Sequence, residues 1–256
     1  FYLEGLRLNE IFRNDFSATY TISDADGMSF AVFDGMGGAA YGEIASEIAV
    51  QTMKKYERRL KNAEGMRAVD QIVTEFVTEA NNSICDMLRE KNCLSGGTTF
   101  AMLYFIDGLA KLYYLGDSRI YMQDEEDLIC LTRDHTLANQ KLDAGIYTEA
   151  QAKKSADQHR LTLYVGVDKN GLGLNADSRP PVALQPGRKF LLCTDGLVDM
   201  CSEQEIQDIP SQDYFNEAAV LVQTAVNYGG IDNVTCIVLE VIPIEEPAEL
   251  ESDPML

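Results

Sequence analysis

Four apolar segments of this chain run into or out of an aspartate at a glycine-rich corner, and this repeated design constrains the fold more than any other feature. They are Phe30-Ala31-Val32-Phe33-Asp34-Gly35, Leu112-Tyr113-Tyr114-Leu115-Gly116-Asp117, Phe190-Leu191-Leu192-Cys193-Thr194-Asp195-Gly196 and Gly230-Ile231-Asp232-Asn233-Val234-Thr235, the last with its Asp leading into the strand. Short apolar runs bounded by turn formers read as strands. A strand end is a rigid mount for a ligand, and glycine lets the backbone approach an ion closely. Converging carboxylates repel one another unless cations occupy the gap, and all-oxygen ligation suits Mg²⁺ or Mn²⁺ better than zinc. Any single Asp-Gly is an ordinary turn dipeptide. Four such corners together point to a divalent-metal site.

The segments between them set the architecture. Residues 16–22 and 28–33 read as strands joined by a turn at Asp24, Asp26 and Gly27. Apolar residues then recur at helical spacing over 42–60 (Ile44, Ala45, Ile48, Ala49, Met53) and over 66–90 (Val69, Ile72, Val73, Phe76, Val77, Ala80, Ile84, Met87, Leu88). Such stripes are core faces rather than binding surfaces. From 98 to 131 the period shortens to a strand meander. Residues 136–156 predict helix with a break at Gly145, and 157–181, rich in Gly, Asn and Asp, predicts a long loop. The region 136–181 is therefore a candidate flap over a site. A strand at 189–194, a helix at 214–228, a strand at 234–241 and a loose acidic tail from 243 complete the chain. Strands with helices added in pairs, without βαβ alternation, predict an α+β fold. Two antiparallel sheets packed as a sandwich, flanked by helices in α-β-β-α layers, accommodate the pattern in one domain, 1–256.

Hydrophobic residues make up 46% of the 256, enough for a sizeable core. With 41 Asp plus Glu against 21 Lys plus Arg, the net charge of -20 would repel a phosphate backbone, so no nucleic-acid partner is expected. No apolar run is long enough to span a membrane, and no signal peptide is visible. A cytoplasmic setting and a monomer are expected, and a start at Phe1 suggests a segment of something longer. The six cysteines show no CxxC or other zinc spacing, so buried, reduced thiols are expected. No CxxxxxR phosphate loop is present, and no DxDxDG loop with a closing Glu, which argues against a cysteine phosphatase and a calcium module.

Six ordered motifs carry a resemblance. Asp34-Gly35-Met36-Gly37-Gly38 with Gly42-Glu43 and Ala45-Ser46, Ser95-Gly96-Gly97-Thr98-Thr99, Gly116-Asp117-Ser118-Arg119, Leu131-Thr132-Arg133-Asp134-His135-Thr136, Thr194-Asp195-Gly196-Leu197-Val198-Asp199 and Gly230-Ile231-Asp232-Asn233-Val234-Thr235 resemble, in order, the signatures of the protein phosphatase 2C (PPM) family. They cover about residues 15–241. Met36, where many eukaryotic members carry His, resembles the bacterial branch of serine/threonine phosphatases.

The resemblance implies metal-dependent hydrolysis of phosphoserine and phosphothreonine in proteins, by a water activated between two divalent cations, Mn²⁺ or Mg²⁺. Asp34, Asp195 and Asp232 would carry the catalytic metals. The Gly35 carbonyl and Asp15 would join them, and Asp117 and Asp199 match the positions for a third, weaker ion. Substrates would be phosphoproteins, by analogy those of a cognate serine/threonine kinase. The family's first motif places an arginine five residues before its final Asp, but Glu10 stands five before Asp15. Arg13, ahead of Arg7, is the candidate to grip phosphate. The competing reading is a pseudophosphatase that binds phosphoproteins as a scaffold. His135 is assigned a structural role, as are Ser118, Arg119, Thr98 and Thr99, and His159 is assigned none.

Overall fold

The computed structural model describes residues 2–3, 21–22, 24–37, 39–93, 95–124, 127–167, 173–209 and 216–243. In order these form β1 (Tyr2–Leu3), β2 (Ser29–Val32), β3 (Gly35–Met36), α1 (Ala39–Lys61) and α2 (Met66–Glu90). Then come β4 (Gly97–Thr98), β5 (Phe100–Ile106), β6 (Leu109–Leu115), β7 (Arg119–Asp124) and β8 (Asp127–Cys130). Next are α3 (Leu137–Asp143), α4 (Glu149–Ala152), a 3-10 turn (Ala156–His159), β9 (Asp177–Ser178), β10 (Val182–Ala183) and β11 (Lys189–Cys193). The described chain ends with α5 (Asp195–Val198), α6 (Glu203–Asp208), α7 (Glu217–Asn227) and β12 (Cys236–Glu240). Arg7, Arg13, Asp15, most of the expected strand at 16–22 and the tail beyond 243 lie outside the described residues.

Strand β5 shows why the layers form. All seven of its residues are buried, although side chains on a strand point alternately to opposite faces. Ala101, Leu103 and Phe105 turn inward onto Ile120, Met122, Phe190, Leu192 and Ile237 of a second sheet. Phe100, Met102 and Tyr104 turn outward onto the apolar stripes of α1 and α2, including Ala45, Ala49, Met53, Phe76, Val77 and Ile84. The second sheet's other face, through Tyr121, Leu191 and Cys193, is covered by Leu197, Ile206, Leu221 and Ala225 of α5, α6 and α7. The result is the expected α-β-β-α sandwich.

One sheet runs β1-β2-β5-β6-β10 with β9 also paired to β6, the other β12-β11-β7-β8, and β3 pairs with β4 separately. The expected meander over 98–131 is thus corrected: β6 does not pair with β7. The chain leaves the first sheet at Leu115 and enters the second at Arg119. Periodicity reports which faces are buried but not which strands are neighbours, so it could not reveal this crossing. The helical region expected over 136–156 with a break at Gly145 forms two short helices on either side of that glycine, each opened by a threonine cap, Thr136 and Thr148. Cysteines also depart from expectation in part, since Cys130 is exposed whereas Cys85, Cys193 and Cys201 are buried.

Pairing directions decide where the acidic corners fall. β2 and β6 are both antiparallel to β5, so their C-terminal ends lie together. β7 and β12 are both antiparallel to β11, which brings their N-terminal ends beside its C-terminal end. The crossing from β6 to β7 joins the two groups at one end of the sandwich.

Candidate active site

Asp34 stands between β2 and β3 on a backbone held from several sides. Its N–H donates to Thr99 Oγ1 (2.9 Å), and Thr99 N–H donates back to the Asp34 carbonyl (2.8 Å). Thr99 Oγ1 also pairs with Ser118 Oγ at 2.6 Å, which couples Asp34 to the Asp117 turn. The neighbouring Phe33 stacks on Phe100 at 5.6 Å, and Phe100 packs on Phe76 at 5.2 Å. Such ring pairs add about 0.5–1.5 kcal/mol each beyond the area they bury. A β-carbon on Gly35 would come within 2.1 Å of the Gly42 carbonyl oxygen, so only glycine lets α1 begin against this loop.

Asp117 sits in the crossing between the sheets. His135 N–H donates to the Gly116 carbonyl (2.9 Å), and Gly116 N–H donates to His135 Nδ1 (3.1 Å). That leaves Nε2 to donate toward Asp177 at 3.3 Å, while the ring stacks on Tyr114 at 5.2 Å. His135 therefore braces the turn. Arg119 is committed as a fork to Asp134, Nε to Oδ1 at 3.0 Å and Nη2 to Oδ2 at 2.8 Å.

Asp195 opens α5 and Asp199 caps its end. The Thr194 hydroxyl accepts from Thr235 N–H (3.1 Å), and Thr194 N–H donates to the Thr235 carbonyl (3.0 Å). These bonds tie the β11 end to the segment that carries Asp232. Gly196 seals the join: a β-carbon there would lie 2.3 Å from the Asn233 carbonyl oxygen. Thr99, expected to be structural, and Thr194, to which the sequence assigned no role, are the residues that position these loops. Threonine in a strand is too common to stand out, and only the fold shows its hydroxyl serving a neighbouring loop.

Electrostatics record the convergence of these groups. Burial first, then the carboxylate of Asp195 within hydrogen-bonding reach, and then Asp232 and Asp117 push Asp34 up to about 8. Burial, then Asp195 and Asp134, push Asp117 up to about 7, with Arg119 pulling the other way. Asp199 is raised by burial and by Asp195, against the opposing pull of His159 and Arg119. Yet Oδ1 of Asp195 is buried with no hydrogen-bond partner among the described residues. A buried, unpaired carboxylate oxygen amid like charges is costly unless a cation or proton meets it. The all-oxygen donor set therefore fits hard divalent ions.

The structure brings Asp34, Asp117, Asp195, Asp199 and Asp232 together with Gly35 at one end of the sandwich, while Asp15 and Arg13 lie outside the described residues. His159, to which the sequence assigned no role, lies beside the cluster. Its Nδ1 lies 3.6 Å from Asp199 Oδ2. It belongs to an aperiodic loop in sequence, which gave no signal of this placement.

Comparison with known proteins gives a concordant result. The family described as Protein phosphatase 2C matches residues 7–227. Protein phosphatase PhpP of Streptococcus pneumoniae is 32% identical over 220 residues, covering 84% of this chain and 86% of that protein. The serine/threonine phosphatase PstP/Ppp of Mycobacterium tuberculosis superposes with a TM-score of 0.73 at 26% identity, over 84% of this chain and 88% of that one. The catalytic domain of PstP in complex with two manganese ions superposes at 0.68 and 27% identity, with the same two coverages. With the family matched over most of its length and the acidic corners gathered at one end of the sandwich, the chain belongs to the protein phosphatase 2C family.

Proposed function

We propose that the chain hydrolyses phosphoserine and phosphothreonine in proteins, using divalent cations held by Asp34, Asp195 and Asp232. The observation that carries this reading is the convergence of these carboxylates, with Oδ1 of Asp195 left buried and without a partner among the described residues. The two-manganese PstP catalytic domain supports a pair of ions, Mn²⁺ or Mg²⁺. Bound ions would supply an activated water as nucleophile and screen the phosphate charge.

The chain's own residues do the rest. Asp34 and Asp195, on opposite sheets, hold the ion positions, with the Gly35 carbonyl and Asp232 completing them; Asp15 is assigned beside them. Asp117 and Asp199 line the side where a third ion would sit. Thr99 holds the Asp34 loop to the Asp117 turn, and Thr194 holds the end of β11 to the segment that carries Asp232. No cysteine is placed to act as nucleophile: Cys193, two residues before Asp195, is fully buried, and burial pushes its thiol well above the usual range. Arg119 is spent on Asp134, so the phosphate grip falls to Arg13 in this reading. The whole of 1–256 is read as one catalytic domain, with 136–181 as its flap.

The test is hydrolysis of p-nitrophenyl phosphate and a phosphothreonine peptide with Mn²⁺, with EDTA, and with Asp195→Ala. Activity should need the metal and fall by at least about 10³-fold in the variant, the loss of several kcal/mol of charge stabilisation. A folded, Mn²⁺-loaded chain that turns over neither substrate would sink the proposal and leave a phosphoprotein-binding scaffold as the better account.

A further inference from the structure

The 3-10 turn Ala156–His159 is anchored with more care than an idle loop requires. Ser155 caps it through Asp157 N–H (3.1 Å), and Asp157, buried, accepts from Lys141 Nζ (2.5 Å), Tyr147 hydroxyl (3.0 Å) and Arg160 Nη1 (3.2 Å). The anchorage delivers the His159 ring to the acidic cluster. One ligand atom each from His159, Asp195 and Asp199 lie within 4.8 Å of one another. Gln158 Nε2 lies 2.9 Å from His159 Nε2, so its carboxamide holds the ring by the nitrogen that faces away from the aspartates. A half-turn of that amide presents its oxygen instead, which places the ring proton on Nε2 and frees the Nδ1 lone pair. Fixing the far nitrogen in this way is how proteins orient a metal-ligating histidine. Asp195, whose Oδ1 is buried without a hydrogen-bond partner among the described residues, is common to this group and to the neighbouring ion positions.

We propose that His159, Asp195 and Asp199 form a mixed nitrogen-oxygen cation position beside the all-oxygen pair, and that its imidazole makes it favour Zn²⁺ over Mg²⁺. Imidazole suits zinc, whereas Mg²⁺ takes oxygen ligands and releases its waters reluctantly. His159 and Asp199 are both partly exposed, 51% and 31% by side chain, so they can close onto metal bonds of about 2.1 Å and the ion can enter from solvent. The inference rests on the reading above only for the ions that fill the neighbouring positions.

The chain has two histidines, which makes the test direct. The ¹⁵N-labelled protein, held in excess Mg²⁺, is titrated with Zn²⁺ while the imidazole nitrogens are followed by NMR. The His159 ring should shift to saturation near one equivalent, with His135, locked between Gly116 and Asp177, unmoved. By calorimetry, His159→Ala and Asp199→Asn should each weaken that Zn²⁺ binding at least about tenfold, the smallest loss expected for a partner outside the ligand shell, with circular dichroism confirming the fold. An unmoved His159 ring at Zn²⁺ saturation, or unchanged affinity in His159→Ala, overturns the proposal. A shifted His159 in a chain that hydrolyses nothing upholds this site and removes the phosphatase reading, so the two fail separately.

Discussion

On the Asp34 side of the cluster the backbone is tied into the sheets, whereas Asp199 and His159 stand on a four-residue helix and a single 3-10 turn. Asp34 is reached from Thr99, Ser118 and the Phe33–Phe100 stack. His159 is reached through one buried carboxylate, Asp157, and one amide, Gln158. Both sides bear carboxylates raised by burial and by Asp195. The difference lies in how much of the molecule must yield before each side moves. A rigid side suits the positions that the chemistry depends on, since a ligand displaced by as little as 1 Å can cost about 10²-fold in rate. A lightly tethered side suits an ion that exchanges.

Thr99→Val should expose this contrast most strongly. The substitution keeps the shape and removes the oxygen that accepts from Asp34 N–H and meets Ser118. Both groups are left short of a partner in buried surroundings, at a cost of about 1–3 kcal/mol in stability. Activity at saturating Mn²⁺ should drop about 10–100-fold, the range for lost outer-shell support. Steady-state kinetics beside a urea melt would check both. A variant with parental activity and lowered stability would show that Asp34 is held well enough by its strand alone, and the contrast between the two sides would lose its main support.

Removing the metals should show which side carries the electrostatic load. In the metal-free chain Asp34 is pushed up to about 8 and Asp117 to about 7, against about 3.9 for an unfolded aspartate. Between those limits the folded state binds protons that the unfolded state has released. Stability from these groups is therefore complete below about pH 4 and is lost as pH rises through 7 to 8. With EDTA, Tm should fall by several degrees between pH 5 and 8, at about 2–4 °C per kcal/mol for a chain near this size. Mn²⁺ replaces the protons, so its stabilising effect should grow over the same range. The net charge of -20 would give a slope of the same sign by self-repulsion. Asp34→Asn separates the causes, because it should flatten the metal-free slope if the cluster is responsible and leave it intact if overall charge is.

What the sequence conveyed follows the same division. The α2 stripe is buried at Val69, Ile72, Val73, Phe76, Val77, Ala80, Ile84 and Leu88, because helical periodicity and a core-facing side are the same fact seen twice. The acidic corners were legible for a similar reason: strand, Asp and Gly are adjacent in sequence, so their geometry is local. Non-local matters were hidden. Nothing in the run from Thr98 to Leu131 announces that it serves two sheets, since pairing depends on register with strands far away. His159 reaches Asp199 across forty residues of chain, by way of a turn with no periodic signal. One missed element was readable: Ser202 and Glu205 form a reciprocal cap that opens α6, the familiar spacing of a helix start.

The smallest expected effect bears on the tether itself. Asp157 touches no carboxylate of the cluster, and Lys141 beside it, helped by Tyr147, holds its carboxyl below the usual carboxylate range. Asp157→Asn keeps the size of the side chain and removes the charge that Lys141 and Arg160 meet. If the turn is held mainly by this group, the His159 ring becomes less well placed while Asp34, Asp117 and Asp232 keep their own supports. Zn²⁺ affinity in excess Mg²⁺ should then weaken by about threefold, below the tenfold at which loss of a direct outer-shell partner begins. Hydrolysis at saturating Mn²⁺ should change less than in Thr99→Val. A calorimetric titration beside the kinetic assay reads both quantities on one preparation. Equal losses in the two would mean that the turn and the Asp34 loop move as one body. The two sides would then differ in exposure and not in mechanical independence.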